Sequence, residues 1–307
     1  MKLSSSAVKY PETVISVRSD YMIALVPALL WSIYRFGSNV IHLMLVSSCT
    51  AVLFEFLLKS LANKKPRVPD FYSIYMGLVF SLTLFSQTSW LLAAIGGAIS
   101  VLIFRFIGAK GQCFIFAPFA ARILSAAMLP ELLNAPTDLA CQYLYTNSIP
   151  AASTYDFILG TVNKPIGSVS AIAIIIGAIY LLLRKNTNRI SAISFFISAF
   201  LLMFFFPIME GRGMESAINE ILAGDLLFVF AFVMTDFSWA PRSTLIKFLS
   251  GVLGAGVTFL FIRAGVYTDA YYIGIVLIGF ISFTLDKLFF KFKYLSQKKG
   301  ETLNADQ

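Results

Sequence analysis

Ten stretches of this chain are long and apolar enough to cross a lipid bilayer, and nothing else in the sequence constrains its fold as strongly. Cut at polar residues, glycines and prolines, they cover residues 21–40, 41–62, 71–87, 90–107, 113–129, 166–183, 190–209, 218–235, 245–263 and 270–290. A spanning helix needs roughly 20 apolar residues, and a backbone without water around it must satisfy its own peptide groups. The expected fold is therefore all-α, a polytopic bundle of ten transmembrane helices.

Charge placement supports that count. With the N-terminus in the cytoplasm, 19 of the 24 lysines and arginines fall on the cytoplasmic side, all but Arg35, Arg122, Lys164, Arg212 and Arg263. That is the bias that orients membrane proteins. Both termini are expected inside, as segments 1–20 and 291–307. Residues 1–20 are polar and lead into a full-length span, so the first span is expected to be retained and not cleaved as a signal. The one long connection, 130–165, falls outside and carries Glu131, Asp138 and Asp156. It divides a first half, 21–129, from a second, 166–290.

Composition agrees: 58% of residues are hydrophobic and 13% charged, with a mean hydropathy of +0.80. The net charge of +8 is then a topological signal directed at the bilayer, and no nucleic-acid partner is expected. Cys49, Cys113 and Cys141 lie far apart without a CxxC pair, so neither a zinc nor an iron–sulfur site is encoded. The single histidine, His42, sits at a span boundary where it reads as an interfacial anchor. No catalytic triad or nucleotide fold is visible.

The halves show an internal echo. Residues 80–86, Phe-Ser-Leu-Thr-Leu-Phe-Ser, match residues 232–238, Phe-Val-Met-Thr-Asp-Phe-Ser, with Thr83 on Thr235 and Ser86 on Ser238. Ile23-Ala24 falls on Ile172-Ala173, and Arg105 on Arg263. Five spans per half would turn the second half upside down relative to the first, and inverted repeats place their site where broken helices meet. Thr235 and Asp236, with Thr83 and Ser86 of the other copy, are expected to line a shared midplane site for an ion.

Carboxylates at membrane depth are costly and face a cavity, an ion or a basic partner. Asp236 ends an apolar run just before Pro241. Glu55, in the second span, reads equally as an ion-path carboxylate or as one half of a pair with Lys59. Asp286 reads as an interface residue paired with Lys287 or Lys291. Arg122, within the fifth span, either binds an anionic group such as a flavin phosphate or neutralises a buried carboxylate.

The run 229–241 is similar to the "FxMATDPxxxP" element of RnfD and NqrB, membrane subunits of redox-driven ion pumps. Asp236 and Pro241 keep the spacing, and Phe237 stands where a proline usually follows the aspartate. Three further segments resemble the same family in the same order. Residues 23–37 resemble "LPAxxxGxYxFG". Residues 108–118 resemble "GGLGxNxFNPA", keeping Gly108, Gly111, Phe116 and Pro118 but neither asparagine, although turn chemistry accounts for the glycines by itself. Residues 160–170 resemble "GxxPGSxGExS", keeping Gly160, Gly167 and Ser170, with Ser168 in place of the glutamate.

The resemblance implies two inverted five-helix bundles, like those of urea transporters, and a flavin, FMN or riboflavin, carrying electrons across the membrane. It implies a cofactor region drawn from Gly108, Gly111, Pro118, Thr154, Gly160, Gly167 and Ser170, to which the anion-binding reading of Arg122 adds that residue. Family members attach FMN to the threonine of a Ser-Gly-Ala-Thr-like motif. This chain lacks that motif, Thr154 being the nearest acceptor, so any flavin is expected to be noncovalent.

The implied function is that of an RnfD-like membrane component of an Rnf/Nqr-type electron transport complex in a bacterial inner membrane, coupled to Na⁺ or H⁺ movement. Other membrane, flavin and iron–sulfur subunits would be its partners. The alternative from another class is a small-solute channel or transporter of the same architecture without redox chemistry.

Overall fold

A computed structural model of the chain describes residues 14–61, 71–107, 116–133, 153–184, 187–266, 269–282, 284–286 and 288. Among the described residues every regular element is helical. α1 spans Val14–Phe36, α2 Ser38–Leu61, α3 Phe71–Leu82, α4 Trp90–Ile107 and α5 Phe116–Met128. The short α6 (Pro130–Leu133) and α7 (Thr154–Leu159) precede α8 (Ala171–Leu183), α9 (Arg189–Met209) and α10 (Gly213–Ala223). α11, Leu226–Met234, is mostly a π-helical turn, and α12 (Thr244–Arg263) and α13 (Ala270–Asp286) complete the bundle.

α2, α9 and α12 are by length and composition complete spans, while α3, α4, α5, α8 and α13 are apolar but shorter. The helices are thus those of a membrane protein, but they are not ten uniform spans. The stretch 218–235, expected as one helix, is broken: α10 and α11 meet at an angle of 52°. Gly224 and Asp225 make the break. The Gly224 backbone is extended (ψ −179°), and a side chain on it would collide with the Tyr271 hydroxyl. The stretch 71–87 also stops early, α3 ending at Leu82 in a turn before α4.

Small residues set the helix contacts. α2 packs on α3 and α4, and α9 on α10 and α12. A Cβ on Gly97 of α4 would stand 2.5 Å from the Ser47 carbonyl of α2, and one on Gly251 of α12 would stand 2.6 Å from the Ser191 carbonyl of α9. Lipid is as apolar as a core, so close backbone approach and hydrogen bonds between helices replace the hydrophobic effect as the driving force. The Ser47 hydroxyl accordingly donates to the Gly77 carbonyl of α3 at 2.8 Å, and Ser191 to the Lys247 carbonyl at 2.9 Å.

Two helix pairs are among the contacts that join residues 21–129 to residues 166–290. α1 and α8 run antiparallel: Asp20 meets Tyr180 at one end, and Ser32 donates to the Ile166 carbonyl at the other. α5 meets α13 through the stacked rings of Phe119 and Tyr272, 5.6 Å apart. One continuous core of buried residues runs through both halves.

Candidate functional site

The Thr235–Asp236 element lies at the end of the bundle that holds the start of α1. The π turn of α11 ends there. The Thr235 hydroxyl donates to the Ala231 carbonyl (2.6 Å) and accepts from Tyr21 of α1 (3.3 Å). Its carbonyl accepts the Asn188 N–H at 2.7 Å, and the Trp239 indole donates to the Val233 carbonyl at 2.9 Å. Asp236 is 2% exposed, with Tyr21 near it, and Tyr75 of α3 in turn near Tyr21. Both polar atoms of the buried Asn188 amide lack a hydrogen bond. π turns recur where function needs irregular backbone, because the widened ladder frees peptide groups.

A second polar locus occupies the opposite end. The fully buried Arg122 of α5 donates through Nε to the Thr83 carbonyl at 3.2 Å, just past α3. Its Nη1 lies 3.2 Å from Asp269 Oδ1, ahead of α13, and its Nη2 makes no hydrogen bond in the protein. Next to it, the Tyr272 hydroxyl donates to Asp225 Oδ2 at 2.5 Å. Ser168, standing where the resembled motif has glutamate, is within reach of Asp225 as well as of the Pro165 carbonyl at 3.2 Å. Lys164, also buried, donates to the Leu222 carbonyl at 2.5 Å and so caps α10.

The two copies of the Thr-x-Phe-Ser element therefore do not meet. Thr235 sits against Tyr21, while Leu84, next to Thr83, accepts the Ile166 N–H beside Ser32. Tyr21 and Ser32 are eleven residues apart on α1, about 16 Å at the α-helical rise. The expected shared site is thus two separate loci, because Thr235 packs against Tyr21 of α1 while the turn after α3 packs near Ser32, farther along the same helix. Ser86 is half-buried in the turn after α3.

Several residues singled out from the motifs have structural employment here. Gly160 closes α7 in the left-handed region (φ 79°). Gly167 fits where a Cβ would be 2.7 Å from the Phe228 ring and 3.0 Å from the Leu82 carbonyl. Ser170 caps α8 by accepting the Ala173 N–H. Pro118 is buried in the first turn of α5, where the missing N–H costs nothing. The Thr154 hydroxyl donates to Asn219 Oδ1 at 2.9 Å, a bond that a phosphoester there would break. Gly108 and Gly111 lie outside the described residues, as do Cys113, Cys141, Lys287 and Lys291.

Glu55 is buried with Lys59 Nζ at 2.7 Å and the Ser73 hydroxyl on its other oxygen, which makes it a paired carboxylate. Asp286 accepts from the backbone N–H groups of Arg242 (3.2 Å) and Ser243 (3.5 Å), ahead of α12. It is thus a helix cap in addition to any pairing with lysines. Near α7, hydrogen bonds from Thr161, then from the Ser153 backbone and hydroxyl, hold the exposed Asp156 carboxyl below its ordinary range.

Asp225, Asp269, Tyr272, Lys164 and Asn188 were not anticipated. For Asp225 a signal was present: a carboxylate inside an apolar run, directly after a glycine. The partners were invisible, since Tyr272 is 47 positions away.

The chain matches the NQR2, RnfD, RnfE family description over residues 2–294. It is 25% identical over 275 residues to the D component of the Na⁺-translocating ferredoxin:NAD⁺ oxidoreductase complex of Acetobacterium woodii, covering 85% of this chain and 84% of that protein. It is also 25% identical to the D component of the proton-translocating ferredoxin:NAD⁺ oxidoreductase complex of Clostridium ljungdahlii, covering 92% of each. The D component of an ion-translocating oxidoreductase complex of Rhodobacter capsulatus is 22% identical, over 75% of this chain and 76% of that protein. This chain belongs to the NQR2, RnfD, RnfE family.

Proposed function

We propose that this chain is the RnfD-type membrane component of an Rnf-type complex in a bacterial inner membrane, conducting electrons across the bilayer together with flavin- and iron–sulfur-bearing partners and coupling this to ion movement. The observation that carries the reading is the family match over 2–294, almost the whole chain. Relatives aligned over most of their own length are named as the D components of such complexes. The two halves form an inverted repeat. In support, the first helices of each half cross antiparallel (α1 on α8), the fifth ones meet (α5 on α13), and the second packs on the fourth in each.

Flavin, where bound, is noncovalent. Thr154 is engaged by Asn219, and Gly160, Gly167 and Ser170 are used in packing and capping. Among the residues expected to hold a cofactor, Arg122 keeps a buried donor with no hydrogen bond in the protein, and it is the group suited to an anionic or carbonyl oxygen of such a ligand. Bound flavin would supply one-electron chemistry. Asp236 with Thr235 provides the ion-path carboxylate at the α1-start end.

Membranes from cells lacking this chain test the reading. Loss of ferredoxin-dependent NAD⁺ reduction, with co-purification of partner subunits on the tagged chain, is expected. Solute flux through the purified chain alone in liposomes, with redox activity unchanged on its deletion, would instead favour the channel reading.

A further inference from the structure

α11 carries a carboxylate at each end. Asp236 follows it and Asp225 precedes it, about 16 Å away at the helical rise. Asp225 is 4% exposed and sits in the 52° break between α10 and α11. A charge so placed is expensive unless the surroundings are built for it. Here they are. From α13 the Tyr272 hydroxyl donates to Asp225 at 2.5 Å. From the segment ahead of α8, Ser168 and Lys164 face it, and from α5, Arg122 does. Asp269, on the far side of Arg122, has a side chain 20% exposed against 0% for Arg122. The cluster thus runs from a partly exposed carboxylate to a buried one.

A proton taken up by Asp225 leaves the same single positive excess over Asp269, Arg122 and Lys164 that a bound monovalent metal ion would, so contact geometry and not charge count selects the ion. A proton needs no coordination shell and passes along a short O–H to carboxylate contact. Arg122 cannot deprotonate, so it sets the field while Tyr272 is the group able to donate and be resupplied.

We propose that Asp225 is a proton-loading carboxylate, filled and emptied through Tyr272, at the end of the bundle opposite Asp236. In loading, the phenolic proton moves to Asp225 Oδ2 as the Tyr272 oxygen takes a replacement proton from protonated water entering past the partly exposed Asp269. One proton enters for each one transferred, and no electron moves. The proposal rests on the ion-translocating reading above and adds to it the carrier residue and the ion. Lys164 and Arg122 keep the emptied site from being an isolated buried anion.

The test has two arms. In the purified full-length chain, pH-difference infrared spectra should show a carboxylic C=O band that shifts in D₂O, disappears in Asp225→Asn and is displaced in Tyr272→Phe. This readout does not require the complex to work. Absence of the band in the unsubstituted chain, or its persistence in Asp225→Asn, overturns the proposal. In the whole complex, Asp225→Asn should lower proton uptake by ~100-fold, the scale of a positioned proton-transfer group, and Asp225→Glu should restore most of it. Proton uptake unchanged in Asp225→Asn overturns the proposal. A complex with no redox activity of its own, in a preparation where the infrared band is present, instead counts against the Rnf-type reading alone. Asp225→Asn keeps an amide oxygen for the Tyr272 bond, and should it fail to fold, the Tyr272→Phe displacement carries the test.

Discussion

Gly177 of α8 lies against the backbone carbonyl of Ala24 on α1, close enough that a Cβ on Gly177 would overlap that oxygen. The first helices of the two halves therefore cross backbone to backbone. Gly177→Val should force them apart at a cost of about 1–3 kcal/mol, read as a lowered melting temperature in detergent. Gly256, with nothing within 4 Å of its Cβ position, should accept alanine without loss.

Arg122 should be a stability residue as well as a site residue. Arg122→Leu strands Asp269 and the Thr83 carbonyl, and removing one partner of a buried pair costs about 3–5 kcal/mol. The lower end is expected, since Asp269 keeps some contact with water. Arg122→Lys should rescue poorly, because one ammonium cannot reproduce the fork that reaches both Thr83 and Asp269. In a double-mutant cycle Asp269→Asn should be cheaper in the Arg122→Leu background than alone; additivity would show that the two side chains do not interact.

Asp236→Asn should impair ion-coupled electron transfer in the assembled complex far more than it lowers stability. The amide retains hydrogen bonding beside Tyr21 and Thr235 but loses affinity for a cation. Full coupled activity in Asp236→Asn, measured with an ion-sensitive dye in proteoliposomes, would make Asp236 a structural residue.

Acid should loosen the segment around α7. Asp156 has its carboxyl held below the ordinary range by Thr161 and then Ser153, so the ionised form is the one the fold stabilises. That contribution is complete above the unfolded-state value and lost as pH falls through the lower folded-state value. Amide exchange at Gly160 and Thr161, whose N–H groups bond to the Asp156 carbonyl, should accelerate over that acidic window. Thr161→Ala should move the onset to higher pH; an unmoved onset would remove Asp156 as its cause.

The lengths of the apolar runs were enough to predict an all-helical membrane protein, because a bilayer admits only backbones that satisfy themselves over about 20 residues. Four partial motifs were enough to point to the family. Local chemistry left Glu55 open between an ion path and a pair with Lys59, one helical turn apart, and the structure shows the pair. What only the tertiary structure decided is how polar groups are matched across helices. Lipid and core are equally apolar, so hydrophobic periodicity does not mark which face of a span is buried. The break at Gly224–Asp225 passed unnoticed inside an apolar run, and Asp225 found Tyr272 and Arg122 found Asp269 only through the crossing of α5, α11 and α13. Thr235 and the turn that carries Thr83 likewise came to lie near Tyr21 and Ser32, far apart along α1, because where distant segments meet is set by helix packing and by no local run of residues.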